Sequence, residues 1–228
     1  DKTVESTVDY IVSNSQGKKV FITWFGGEPL MASSTIDKIC ILLKNNNINF
    51  SSSMISNGFF INKYIDLMHD NWKIRRIQIT LDDLYDNYNK IKGFGNLGFK
   101  TVINNIHLCI EKNIKVSIRV NFDSSNYSNY KRIIDFVYNE FGNKVGLYFH
   151  DIIGAEFKTP FEVTPNPLLD IFCELMKHGY IKNLKDLKIK RTYSSCALNR
   201  KSFINVCPDG ETTKCEHYVG RNSIFSCG

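Results

Sequence analysis

Phe21-Ile-Thr-Trp-Phe-Gly-Gly-Glu-Pro-Leu30 is the stretch that decides the fold of this chain. It starts as an apolar run typical of a β-strand and breaks at Gly26-Gly27-Glu28-Pro29. Consecutive glycines permit backbone conformations that other residues avoid and let a ligand approach the main chain closely. Pro29 removes a backbone donor and stiffens the exit, while Glu28 adds a carboxylate. The stretch therefore predicts a turn suited to a cationic group at a strand end, although a tight strand-to-helix turn without a ligand would also explain two glycines.

The rest of the chain alternates between strand and helix patterns. Apolar strand patterns occur at 20–25, 49–55, 76–81, 116–120 and 145–152, and helical spacing of apolar residues occurs at 4–12, 36–43, 62–69, 99–112 and 130–137. Strands separated by helices are typical of βα units with a parallel sheet. Near 159–167 three prolines interrupt the alternation, which indicates a connector, and a helix at 168–176 follows.

Polar residues gather where the predicted strands end. They are Glu28, Ser56, Asn57, Asp82, Asn121 and His150. Ligands bind at the carboxyl ends of the strands both in βα barrels and in doubly wound sheets, so this pattern alone does not choose between the two folds. We expect His150 to face the site, and we expect Trp24 and Tyr148 to belong to the core.

Composition narrows the possible partners. The 228 residues are 43% apolar and carry a net charge of +6, enough for one sizeable core or for one domain plus part of a second. The basic residues are scattered and form no arginine-rich run, which argues against a nucleic-acid partner, although a mildly basic face would suit an acidic peptide. No run approaches the roughly 20 apolar residues that span a bilayer. We therefore expect a cytoplasmic protein with no membrane partner.

The seven cysteines are unevenly placed. Three lie in apolar helical patterns and are predicted to be small core residues: Cys40, Cys109 and Cys173. The other four crowd together near the C-terminal end of the sequence: Cys196, Cys207, Cys215 and Cys227. Without a sign of secretion, such a cluster indicates metal binding more than disulfides.

The tetrapeptide Gly26-Gly27-Glu28-Pro29 closely resembles the GGEP motif of radical S-adenosylmethionine (SAM) enzymes. In that family the segment holds the amino group of the SAM methionine through backbone carbonyls and the carboxylate. The resemblance implies that Gly26, Gly27, Glu28 and Pro29 do so here.

Later strand ends extend the resemblance. Ser56-Asn57-Gly58 is similar to the turn that lies beside the SAM ribose in this family. Gln78-Ile-Thr-Leu-Asp-Asp83 is similar to a family segment that reads Gln-Ile-Ser-Leu-Asp-Gly, so Thr80 keeps the hydroxyl and Asp82 keeps the carboxylate. Asp83 replaces the family's glycine and leaves the local backbone geometry open.

Arg119 and Asn121 lie in a segment that resembles the Arg-Val-Asn of peptide-modifying members. Arg119 could pair with the SAM carboxylate, because a guanidinium binds carboxylates bidentately; an exposed strand arginine is the competing interpretation. In sulfatase-maturating relatives an aspartate in the region of Asp82 is a proposed proton acceptor. A supporting role for the Asp82 loop is about as plausible.

The C-terminal cysteines resemble the opening of the SPASM domain, whose cysteines hold auxiliary iron–sulfur clusters. The resemblance implies Cys196 and Cys215 as ligands, with Cys207 either a ligand or structural. A four-thiolate zinc hairpin is the alternative, but no C-x-x-C pair is present.

The implied fold is α/β: a partial (β/α)6 radical SAM barrel that lacks its first strand, followed by the start of a SPASM domain. We expect the partial barrel at 1–160, a connector and helix at 161–190, and the SPASM segment at 191–228.

The C-x-x-x-C-x-x-C motif that binds the 4Fe–4S cluster of the family does not occur in the 228 residues. Either the chain is a fragment that starts after the motif, which we favour, or it is a degenerate, non-catalytic peptide-binding member. As a full-length enzyme, the resemblance implies a 5′-deoxyadenosyl radical that modifies a peptide or protein, with flavodoxin or ferredoxin as electron donor. The chain alone would be inactive without the upstream cysteines. The sequence does not identify the peptide or the bond formed.

Overall fold

A five-stranded parallel sheet forms the centre of the molecule, with its strands in the order β1-β2-β3-β4-β5. The computed structural model describes residues 2–122, 127–151, 167–183 and 202–214. The strands of this sheet are β1 (Val20–Trp24), β2 (Phe50–Ser56), β3 (Ile74–Thr80), β4 (Lys115–Phe122) and β5 (Gly146–Asp151). The helices are α1 (Lys2–Ser15), α2 (Ser33–Asn45), α3 (Ile61–Asp66), α4 (Tyr85–Lys92), α5 (Gly98–Glu111), α6 (Tyr130–Phe141) and α7 (Pro167–Lys177).

The strand order settles the choice between the two candidate folds. A doubly wound sheet reverses its order at a switch point, whereas here each strand pairs in parallel with the next strand along the chain. Right-handed crossovers in one direction place all the helices on the same side of the sheet. The predicted α/β fold class, with the strand order of a partial (β/α) barrel, is confirmed.

Alternation along the strands separates two faces of the sheet. In β4 the helix-covered face has Val116, Ile118 and Val120, each at most 3% exposed. The intervening Ser117 and Arg119 belong to the opposite face and are exposed or half-buried. We call this opposite face, made of the alternate residues of β1–β5, the open face. Most of its residues are polar, and the core lies between the sheet and its helices.

Helices cover the sheet through apolar stripes at helical spacing. In α6, Ile133, Ile134, Val137 and Phe141 are all buried, as the spacing i, i+1, i+4 and i+8 on one face requires. Fully burying each such side chain contributes about 1.5–3 kcal/mol.

Most predicted elements are confirmed, with small shifts of their ends. The helix expected at 62–69 is α3 followed by one π-helical turn at Leu67–Asn71. Helix α4 was not predicted, because Tyr85–Lys92 contains few apolar residues. A short antiparallel hairpin, β6 (Asn205–Val206) with β7 (Thr212–Thr213), turns at Cys207-Pro208-Asp209-Gly210.

Candidate SAM site at the strand ends

The glycine turn after β1 leaves open space beside its backbone. Gly26 has a φ of +153°, which residues with side chains rarely adopt. A Cβ built on Gly26 or Gly27 would meet no atom within 4 Å. Room at the main chain itself is what a ligand bound by backbone groups requires.

The Glu28 carboxylate joins the ends of β1 and β2. It accepts hydrogen bonds from the Leu30 amide at 3.1 Å, from the Ser56 hydroxyl at 2.9 and 3.1 Å, and from the Asn57 amide at 2.7 Å. A carboxylate has about four acceptor positions, and these donors use most of them. The glycine backbone is therefore the part of the turn that faces the open space, and Glu28 holds that backbone in place.

The turn that follows β2 is closed by its own side chains. The Ser56 hydroxyl accepts from the Gly58 amide at 3.0 Å, and the Asn57 side-chain oxygen accepts from the Phe59 amide at 2.9 Å. Gly58 has a φ of +82°, and a Cβ there would lie 3.0 Å from the Ile79 side chain. A side chain at this position would be both crowded and strained, so glycine is favoured here and the turn lies tightly against β3.

A hydrogen-bonded chain runs along the ends of β3 and β4. Asp82 accepts from Lys92 at 2.6 Å and from both the backbone and side-chain nitrogens of Asn121 at 2.9 Å. The Asn121 side-chain oxygen in turn accepts from the Arg119 Nε at 2.8 Å. Lys92 also donates to the Thr80 hydroxyl at 3.0 Å. These hydrogen bonds connect all four residues predicted at the two strand ends, which are Thr80, Asp82, Arg119 and Asn121.

These contacts bear on the two interpretations of Asp82. The residue is only 8% exposed, and its ion-pair partner Lys92 is half-buried. An aspartate engaged by an ammonium and two amide groups is well placed to fix the strand ends. The proton-acceptor role stays a prediction.

Asp83, the departure from the family's glycine, has a structural explanation. Its carboxylate accepts from the Leu84 amide at 2.7 Å and from the Asn129 side chain at 3.2 Å. The positive φ in this segment belongs to Tyr85 instead, at 51°. The aspartate therefore fixes the start of α4.

Three supporting residues were not predicted: Tyr88, Lys92 and Asn105. The Tyr88 hydroxyl lies 3.4 Å from the backbone oxygens of both Asn57 and Thr80, between two strand ends. Burial raises the pKa of Tyr88 strongly, and the charges of Asp82 and Glu28 add to the effect. The phenol stays neutral and can donate. The only sequence signal for Tyr88 and Lys92 is that they lie four residues apart, which is one helical turn. Because α4 was not predicted, this spacing could not be interpreted.

Asn105, on α5, fixes the turn that follows β2. Its buried amide donates to the backbone oxygens of Gly58 at 2.8 Å and Phe59 at 3.1 Å. An asparagine on the apolar face of α5 is a recognisable signal, because a buried amide needs partners.

Tyr148 lies on the open face, and the prediction that it belongs to the core was wrong. It is 36% exposed, and its hydroxyl donates to the Gln78 side-chain oxygen at 2.5 Å. It pairs in register with Arg119, as His150 does with Asn121. Trp24 packs partly buried against the core, as expected.

The predicted metal ligands are only partly described. Cys196 and Cys215 lie outside the described residues. Cys207 is buried beside the β6–β7 turn, where its sulfur and the carboxylates of Asp209 and Glu211 lie within 4.8 Å of one another. Burial raises the pKa of the Cys207 thiol, and the two negative charges raise it further. A bound metal would have to overcome this preference for the thiol.

The isolated cysteines divide into two groups. Cys40 and Cys109 are fully buried, and burial raises the pKa of each to about 12. Cys173 is exposed, so its assignment to the core was wrong. It points away from the apolar stripe of α7, which Ile171 and Leu175 form.

A second group of possible ligands lies between α6 and α7, away from the strand ends. His178 has Nε2 at 3.1 Å from Asp135 and Nδ1 at 2.9 Å from the Glu174 backbone oxygen. Lys177 pairs with the Glu174 carboxylate at 2.9 Å. These ion pairs and hydrogen bonds explain the group without a metal, because they connect α6 to the end of α7.

Among the described residues, no helix is both long and apolar enough to cross a membrane.

Comparison with known proteins agrees with the fold. The sequence profile described as the Radical SAM superfamily matches residues 1–137, which is more than half of the chain. No curated protein sequence matches the chain.

Solved structures share the fold. Native anSMEcpe, an anaerobic sulfatase-maturating enzyme, with bound AdoMet has a TM-score of 0.73 at 19% identity, covering 100% of this chain and 67% of that chain. The same protein with bound AdoMet and the Kp18Cys peptide gives 0.71 at 19% identity, over 100% and 68%. TYW1 with a lysine-pyruvate adduct gives 0.50 at 17%, over 76% and 61%. At these identities the likeness establishes the fold alone.

Proposed function

The chain belongs to the radical SAM superfamily, and from this premise we propose that it is the SAM-binding part of an enzyme that modifies a peptide or protein. The glycine turn at the end of β1 is the observation on which the proposal depends most. Glu28 holds this turn, and open space lies beside Gly26 and Gly27. The proposed cofactor contacts are Gly26, Gly27, Glu28, Pro29, Ser56, Asn57, Thr80, Arg119 and Asn121.

The proposed contact residues suit different groups of SAM. The backbone oxygens of the glycine turn suit a protonated amine, because carbonyls accept hydrogen bonds from it. Arg119 suits the carboxylate of the same amino acid. Asn121 accepts from Arg119 and donates to Asp82, so it orients the guanidinium. Acceptors for an amine after β1 and a donor for a carboxylate in β4 suit the two charged groups of a methionine moiety.

The reaction itself needs groups that these residues do not supply. SAM held at the glycine turn, together with a reduced 4Fe–4S cluster, would supply the radical chemistry that removes a hydrogen atom from the substrate. The cluster requires three cysteines, and the 228 residues contain no C-x-x-x-C-x-x-C motif. An auxiliary cluster at Cys196, Cys207 and Cys215, an electron donor such as flavodoxin or ferredoxin, and Asp82 as a proton acceptor belong to the same proposal.

The peptide or protein substrate is supported by two features. The open face offers polar side chains such as Gln78, Ser117 and Tyr148 along the strands. The fold is also that of a protein solved with a bound peptide. A polar strip beside a parallel sheet suits an extended chain that has many backbone groups to satisfy.

A non-catalytic peptide-binding protein is the second candidate. Such a protein would bind its peptide without a cluster and would not need a C-x-x-x-C-x-x-C motif. Anaerobic reconstitution of the natural full-length protein with iron and sulfide separates the candidates. 5′-Deoxyadenosine formed from SAM under a strong reductant supports the enzyme, and its absence supports the binding protein.

Glu28→Gln tests the site independently of turnover. The variant loses the charge that three donors share, and charged hydrogen bonds contribute about 1.5–3 kcal/mol each. We expect SAM affinity, measured by equilibrium dialysis on the reconstituted protein, to fall by about tenfold or more.

Glu140→Gln is the matched control for Glu28→Gln. It makes the same chemical change at an exposed carboxylate that pairs with His107 on α5. We expect SAM affinity to stay unchanged. If Glu28→Gln binds SAM as tightly as Glu140→Gln does, the glycine turn is not the SAM site.

A further inference from the structure

We propose that Arg76 and Lys115, on the open face of the sheet, bind an acidic side chain of the peptide substrate. The inference rests on the proposed function and names a chemical class for its substrate. The pair lies at the amino-terminal ends of β3 and β4, at the opposite end of these strands from the candidate SAM site.

The two cations are neighbours on one face. Arg76 and Lys115 are partners in the register of β3 and β4, and neighbouring strands lie about 4.8 Å apart. Arg76 has the same parity as Gln78 and Thr80, and Lys115 the same parity as Ser117. Both side chains are exposed, and neither forms an ion pair within the described residues.

No acidic residue shares this face in the described part of the sheet. The paired positions on this face carry apolar, hydroxyl, amide, imidazole or basic side chains, or are glycine, and none of them is an aspartate or a glutamate. Asp82 and Glu28, at the carboxyl ends, already accept hydrogen bonds from neighbouring residues. The positive charge at the other end of the face is therefore not balanced from within the sheet.

Like charges directly opposite each other on neighbouring strands repel. The pair is therefore unfavourable to the sheet until an anion lies between the two side chains. A single carboxylate fits a pair of cations on adjacent strands. A nucleic-acid strand would instead require a track of cations along its phosphates, and the next cation on this face is Arg119, four residues away.

The spacing gives the position of the acidic residue. Arg76 to Thr80 and Lys115 to Arg119 are each four residues of strand, or about 13 Å at about 3.3 Å per residue. An extended peptide whose reacting residue lies level with Thr80 would thus present the side chain about four residues away to the pair. We expect an acidic residue three to five positions from the modified residue.

Synthetic peptides test the proposal directly. Fluorescent decapeptides with one glutamate, placed at successive positions, are compared with their glutamine counterparts by anisotropy on the natural full-length protein at low salt. We expect at least one glutamate peptide to bind about tenfold more tightly than its counterpart, with a preference that falls as salt screens the charges.

The variant Arg76→Gln/Lys115→Gln should lose this preference. Arg75→Gln/Lys112→Gln is the control, because it removes the same charge from positions one and three residues away. Arg75 donates to the His69 backbone oxygen, and Lys112 pairs with Asp66. Both variants change exposed side chains, and circular dichroism verifies that they fold. The proposal is overturned if the wild-type protein binds glutamate and glutamine peptides equally, if the control loses as much preference, or if a single-stranded oligonucleotide binds more tightly than every peptide.

Formation of 5′-deoxyadenosine, measured on the same samples, separates this inference from the proposed function. Formation without a glutamate preference overturns the acidic-residue inference and leaves the enzyme proposal intact. A glutamate preference without formation supports the acidic-peptide surface and favours the binding-protein candidate.

Discussion

The helix-covered face and the open face of the sheet come from alternate residues of the same strands, but they have opposite chemistry. Ile77, Ile79 and Ile118 are at most 1% exposed under the helices, while the adjacent residues Gln78 and Ser117 are half-buried and exposed on the open face. Parallel sheets covered on both faces have nearly continuous apolar strands. The alternation here shows that the apolar core lies on one face, which leaves the open face available for ligands.

Ile118→Ala has the largest expected effect among the tests of the difference between the two faces. Ile118 is 0% exposed, and truncation of a buried isoleucine costs about 2–5 kcal/mol through lost burial and a cavity. We expect a loss of that size in the free energy of unfolding, measured by urea denaturation of the natural full-length protein.

Ser117→Ala is the control from the adjacent residue of the same strand. Its side chain is exposed on the open face, and exposed substitutions usually stay within about 0.5 kcal/mol. Equal losses for Ile118→Ala and Ser117→Ala would contradict the assignment of stability to one face.

Lys92→Met tests the strand ends, where the two faces meet. The Lys92–Asp82 pair has side-chain exposures of 19% and 11%, and breaking a buried pair costs about 3–5 kcal/mol. Because this pair is not fully buried, we expect a smaller loss of stability, about 2 kcal/mol. Urea denaturation measures it, and Asp82→Asn in the same chain should recover part of the loss.

Lys90→Met is the control for Lys92→Met, since Lys90 is exposed on the same helix. It should change stability by less than about 0.5 kcal/mol. If the two methionine variants unfold alike, Lys92 does not hold the strand ends.

The fold could be predicted from the sequence because the apolar periods are strong. The alternation of Val116, Ile118 and Val120 and the spacing of Ile133, Ile134 and Val137 each allow one arrangement against a core. The choice of a barrel over a doubly wound sheet depended on strand order, which local periodicity does not contain. That choice came only from the family resemblance until the pairing was known.

The candidate site was predictable where residues belong to a motif and not where they belong to a helix without one. Glu28 and Ser56 were found separately, but the bond between them joins residues 28 positions apart. Lys92 and Tyr88 are ordinary helix residues until α4 places them beside Asp82 and Asn57. Long-range partners of this kind are set by tertiary packing, which no local pattern specifies.

Tyr148→Phe is the smallest test and applies to the open face alone. The hydroxyl donates to Gln78, and an intramolecular hydrogen bond contributes about 0.5–1.5 kcal/mol, less where water can replace the partner. We expect a loss of stability of at most about 1 kcal/mol. A double-mutant cycle with Gln78→Leu measures the coupling, and the exposed Tyr10→Phe is the control.

The pH dependence distinguishes this hydrogen bond from a general packing effect. Burial raises the pKa of Tyr148 above its ordinary value, against a smaller opposing effect of Arg119. A raised pKa means that the contribution of the neutral phenol is complete below the pKa of an unfolded tyrosine, about 10, and is lost as the pH rises above it. The wild-type protein should therefore lose stability faster than Tyr148→Phe above about pH 10, and the gap between them should narrow. A constant difference in unfolding free energy across that range would contradict this expectation. It would show that the Tyr148 hydroxyl is as well solvated in the folded protein as in the unfolded chain.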